Sequence, residues 1–150
     1  MLLAVGSLAV AASCADDALA PTRIAGQVYV LERSGELTPP ILLSGTVGDT
    51  TQLVLESLEF GPPPRVTRSA TYRYRFGSET PRIETYRSDM EYRVSGSQVE
   101  IGSFTPCPPN ALMSCAPNLV GTITADALIL APKSVQGAAP SVYRRAFLVD

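Results

Sequence analysis

The stretch Ala70-Thr71-Tyr72-Arg73-Tyr74-Arg75-Phe76 alternates with a period of two, Ala70, Tyr72, Tyr74 and Phe76 on one parity and Thr71, Arg73 and Arg75 on the other. Successive side chains of a strand leave opposite faces, so the pattern predicts a strand with one apolar and one charged side. Ser88 to Val94 repeats it, with Met90, Tyr92 and Val94 opposed to Asp89, Glu91 and Arg93, and Val99 and Ile101 flank Glu100. Near the C-terminus both parities are apolar: Tyr143, Phe147 and Val149 on one, Val142, Ala146 and Leu148 on the other. A strand covered on both faces is expected there.

Chain breakers divide these runs at short intervals: Ser34-Gly35, Pro39-Pro40, Gly48-Asp49, Gly61 to Pro64, Gly77 to Pro81, Ser95-Gly96, Ala125-Asp126 and Gly137 to Pro140. Counting between them predicts strands over 24–33, 41–47, 51–60, 66–76, 83–94, 98–104, 119–124, 127–131 and 141–149. Ser95-Gly96-Ser97 and the Thr-Ala-Asp-Ala step around residue 125 have the composition of hairpin turns. The reading is all-β: an antiparallel up-and-down meander of eight to nine short strands forming a barrel, with a β-sandwich as the alternative.

A chain of 150 residues has room for one domain, large enough to bury a core without help from a metal or partner. Its formal net charge of −2 lacks the basic excess that nucleic acid would demand, so no nucleic-acid partner is expected. The absence of His removes Ser-His-Asp and Cys-His catalysis and the commonest transition-metal ligand. Lys133 is the one lysine, which leaves little scope for Schiff-base chemistry. Neither a metal nor a cofactor is expected.

Leu2 to Ala12 form an apolar run interrupted by Gly6 and Ser7, the length of a signal-peptide core and too short to span a bilayer. The run ends in Ala11-Ala12-Ser13-Cys14, which resembles the lipobox of bacterial lipoproteins, where the Cys thiol takes a diacylglyceryl group and becomes the new N-terminus. The resemblance implies a signal peptide over 1–13, lipidation at Cys14, a tether over 14–23 and a β-barrel domain over 24–150. The protein would then be exported and anchored to the membrane at the cell envelope, facing the periplasm or the exterior. A plain secretory signal, giving a soluble secreted protein, is the alternative.

The order Tyr92-x-Val94-x-Gly96-x-x-Val99-x-Ile101, then Gly121-Thr122-Ile123, Leu128-Ile129-Leu130 and Tyr143-Arg144-Arg145 resembles small lipocalin-like lipoproteins of bacteria. The likeness covers about 92–145, with Gly26 to Leu31 and Pro39-Pro40 agreeing loosely. It implies an up-and-down barrel and no particular activity.

Candidate sites follow from the residues. Cys107 and Cys115 form an even pair in a chain read as exported, so a disulfide is expected, worth roughly 2–3 kcal/mol in the chain-entropy model. A metal site would want more ligands, and a redox site a Cys-x-x-Cys spacing. Tyr72, Tyr74, Phe76, Tyr92 and Tyr143 are the residues expected to line a cavity for a small apolar ligand. The duller alternative is a filled core, because an eight-stranded barrel is just wide enough for its own side chains.

Arg73, Arg75, Arg87 and Arg93 suggest an anion-binding stripe, but interspersed Glu84, Asp89 and Glu91 favour solvent-facing cross-strand pairs. Glycoside hydrolysis needs two carboxylates facing one bond. Glu56 and Glu59 are three apart and so point to opposite faces of a strand, while Asp89 and Glu91 share the outward face. The functional expectation is a non-catalytic envelope protein that binds a small apolar ligand or serves as a structural or interaction module. The alternative is an Asp/Glu-dependent hydrolase of envelope polymers.

Overall fold

The computed structural model describes residues 24–105 and 118–147. Among them run nine strands: β1 (Val28–Ser34), β2 (Ile41–Gly45), β3 (Thr50–Phe60), β4 (Arg65–Arg75), β5 (Arg82–Ser95), β6 (Gln98–Gly102), β7 (Leu119–Ile123), β8 (Ala127–Pro132) and β9 (Ser141–Ala146). The elements and their order match the alternation and breaker pattern. Most ends shift by one or two residues, β2 and β6 each stopping two residues early, and the first and last strands differ most. Ile24 to Gln27 is not strand but a turn with Gly26 at φ +79°, a left-handed value outside strand geometry. At the other terminus β9 stops at Ala146, and Phe147 is exposed.

Every neighbouring pair is antiparallel, in the order β1-β9-β8-β7-β6-β5-β4-β3-β2. The sheet closes on itself because β1 also pairs with β3, Val28–Val30 lying against Ser57–Glu59. The result is an eight-stranded barrel, with β2 as an extra strand hydrogen-bonded to the first residues of β3. Tight turns set the register. Ser95 pairs with Gln98 across Gly96-Ser97, and Gly96 alone has positive φ (+59°), the requirement for the first central residue of a type II′ hairpin turn.

One end of the barrel is tightly filled. Phe60 has no exposed surface and stands edge-on to Tyr29 and to Tyr92, at centroid distances of 5.7 and 5.0 Å. Ile24 folds under this end, Leu58, Val66 and Leu128 are buried beside it, and the Tyr92 hydroxyl donates to the Gly61 carbonyl at 3.1 Å. At the opposite end the wall is uneven. On β5, β6 reaches only Glu91–Ser95, whereas β4 and β5 continue together to Tyr74 and Arg82. Upper β5, β4, β3 and β2 therefore form a sheet that rises above the barrel mouth. Asp49 Oδ1 ties the two hairpin tips by accepting from the Gly77 amide at 2.8 Å.

A bulge in β3 controls what faces inward. Leu53 opposes Tyr72 and Leu55 opposes Thr71, so Val54 is an extra residue in the ladder. The alternation shifts by one across it, placing Leu53 and Glu56 on the interior side while Leu55 is exposed.

Candidate functional site

Above the packed end lies an interior cavity of about 610 Å3, inside the size range of small-molecule sites (roughly 300–1,000 Å3). Leu31, Ile41, Leu53, Ile101, Leu119 and Leu130 supply apolar walls from six strands. Ser34, Ala138, Ala139 and Ser141 border its mouth, where the Ser141 hydroxyl donates to Ser34 Oγ at 2.9 Å.

One polar cluster interrupts these walls. Glu56 is 5% exposed and is the one buried charged residue among the described residues. Its Oε1 accepts from the Tyr143 hydroxyl at 2.6 Å, and its Oε2 accepts from Arg68 Nη2 at 2.6 Å. A buried carboxylate is tolerated only when paired and hydrogen-bonded, and here both oxygens are satisfied. Burial, then the Glu56 charge, then the hydrogen bond to it push the Tyr143 phenol far above its ordinary value. The hydrogen bond to Glu56 likewise raises the Arg68 guanidinium, against the opposing effect of burial.

The Arg68 side chain is 38% exposed, and its bond to Glu56 is the one its guanidinium makes among the described residues. A guanidinium carries five N–H donors in a fixed fork. Arg68 therefore keeps donors for a molecule in the cavity it lines.

The expected aromatic residues are spread over three places. Tyr143 lines the cavity. Tyr92 is buried against Phe60 in the packed end. Tyr72, Tyr74 and Phe76 run up the protruding sheet, where Tyr72 also meets Tyr86 at 5.8 Å and the Tyr74 and Phe76 rings lie parallel, 6.4 Å apart. Phe76 is half exposed. Cys14, Cys107 and Cys115 lie outside the described residues.

The charged stripe has other partners than those anticipated. Glu84 is paired with Arg82 and accepts from the Tyr86 hydroxyl, Asp89 accepts from Thr67, and Arg93 lies over the Phe104 ring at 3.8 Å. Glu56 points inward and Glu59 outward, as their spacing requires. Among the described residues no three His, Cys, Asp or Glu side chains are grouped to hold a metal ion.

Arg68 and the apolar wall residues escaped the sequence reading, although a signal for Arg68 exists. The parity of Ala70, Tyr72 and Tyr74, continued backward, runs through Arg68 to the buried Val66. No protein-family profile, curated protein or solved structure matches the chain.

Proposed function

We propose that this barrel binds one small, mainly apolar molecule in its upper interior and carries it at the cell envelope. The observation that supports this reading most is the contrast within one barrel. One end is filled by Ile24, Tyr29, Phe60 and Tyr92, while the other holds a mainly apolar cavity of about 610 Å3 beside the hydrogen-bonded Glu56–Tyr143–Arg68 cluster. Concave, mostly apolar surfaces with a few fixed polar groups are the usual form of small-molecule sites.

The likeness to small lipocalin-like lipoproteins agrees with this reading, as does the expected anchor at Cys14. The connection that carries Cys107 and Cys115 leaves β6 and enters β7 at the mouth, since Gly102, Ser103 and Leu119 border the cavity.

The test is titration of the full chain with the uncharged dye N-phenyl-1-naphthylamine. Saturable fluorescence enhancement at one site per chain is expected, and Ala138→Trp, which plugs the mouth from a turn, should abolish it without lowering the unfolding midpoint. Linear, unsaturable enhancement in the wild type would refute the reading.

A further inference from the structure

We infer that the cavity selects a neutral ligand bearing an oxygen acceptor, such as an alcohol, ester or ketone, over the corresponding carboxylate; this rests on the binding reading above. Arg68 offers N–H donors to the cavity, which calls for an acceptor on the ligand. Its positive charge is already matched by Glu56 at 2.6 Å. A ligand carboxylate would bring a second negative charge to one guanidinium, between apolar walls where an uncompensated charge is costly. Asp89 also borders the opening and adds negative potential.

A neutral oxygen has no such conflict. It accepts from Arg68 and leaves the Glu56 pair intact, while an alkyl chain lies along Leu31, Leu53 and Leu130. The Tyr143 hydroxyl is committed to Glu56, so Arg68 is the group that orients the ligand head. A bond to a charged donor is stronger than a neutral one, so a single acceptor is enough to fix orientation.

The full chain, loaded with N-phenyl-1-naphthylamine, is titrated with decan-1-ol and with decanoate at pH 8, where the acid is ionised. Decan-1-ol should displace the dye with an affinity about tenfold or more above that of decanoate, since burying an unpaired charge costs more than that ratio. In Glu56→Gln the guanidinium charge is freed, and decanoate should gain about tenfold relative to the alcohol. In the double variant Glu56→Leu/Arg68→Leu, which removes both charges together and so avoids stranding either, the alcohol should lose affinity with its donor. Decanoate binding the wild type as tightly as decan-1-ol overturns the inference, even if every variant fails to fold. Dye that never binds overturns the binding reading and this inference with it.

Discussion

The Tyr143 hydroxyl on β9 donates a 2.6 Å hydrogen bond to Glu56 Oε1 on β3, joining residues 87 apart in sequence inside the barrel. With Arg68 on the other oxygen, it makes a buried carboxylate tolerable beside apolar walls. Tyr143→Phe should therefore destabilise the fold by about 1–3 kcal/mol, the cost of leaving one buried acceptor unmet. Glu56→Ala should cost more, because it strips the buried Tyr143 hydroxyl of its acceptor and also removes the counter-charge of the partly solvated Arg68. Urea denaturation measures both, and a Tyr143→Phe protein as stable as the wild type would contradict this role.

The same contact makes a prediction about alkaline pH. In the fold the Tyr143 phenol is held far above its ordinary value of 10, chiefly by burial and by the Glu56 charge. A group whose folded value is raised contributes its stability in full below the unfolded value and loses it as pH rises beyond. Stability should therefore begin to fall as pH climbs past about 10, where only the unfolded state loses the proton. Urea midpoints measured from pH 9 upward should decline less steeply in Tyr143→Phe than in the wild type. Tyr29 and Tyr92, raised by burial, and Tyr86, raised by its hydrogen bond to Glu84, add to the slope.

Much of the fold is legible in the sequence because barrel strands obey two simple rules. Alternation placed Tyr92 and Val99 inside, and breakers such as Ser95-Gly96 marked hairpins that the structure forms. The bulge at Val54 is not legible, since an extra residue leaves no trace where Leu53, Val54 and Leu55 are all apolar. Closure through β1 and β3, with β2 left outside, depends on long-range pairing that local pattern does not encode. For the same reason the sequence showed Glu56 and Tyr143 as separate residues and never as partners. Tyr92 and Tyr143 are buried as the alternation suggested, but parity alone did not tell that one lies in the packed end and the other in the cavity, or that Tyr72, Tyr74 and the half-exposed Phe76 run up the protruding sheet.

Gly121 sits at a close approach between β7 and β8. A Cβ at this position in β7 would fall on the Ile129 carbonyl oxygen of β8, and backbone on both sides leaves no room to yield. Gly121→Ala should destabilise by about 1–3 kcal/mol or more. Gly61→Ala, where the added carbon meets only ordinary contacts with Arg65, should be close to neutral. Comparing the two by urea denaturation separates a steric effect from a general cost of losing glycine.

The cysteines carry two further expectations. Alkylation of the protein without reduction, after expression from its native start and recovery from the cell envelope or medium, should leave Cys107 and Cys115 unmodified and linked in mass spectrometry. Two alkylated thiols would exclude the bridge. In membrane fractionation, the Cys14→Ser form should leave the membrane pellet that the wild type occupies, and equal partitioning would exclude a lipid anchor.

The central claim is that a small apolar molecule enters the upper barrel, and amide chemical shifts of the isotope-labelled protein locate it most directly. On titration with decan-1-ol, the amides of Leu31, Leu53, Leu130 and Ser141 should move together and saturate, since these residues line the cavity. The amides of Val66 and Val99, buried in the core without lining it, should stay in place. Shifts confined to Tyr72, Tyr74, Phe76 and Tyr86 on the protruding sheet, or no saturable shift at all, would contradict the account.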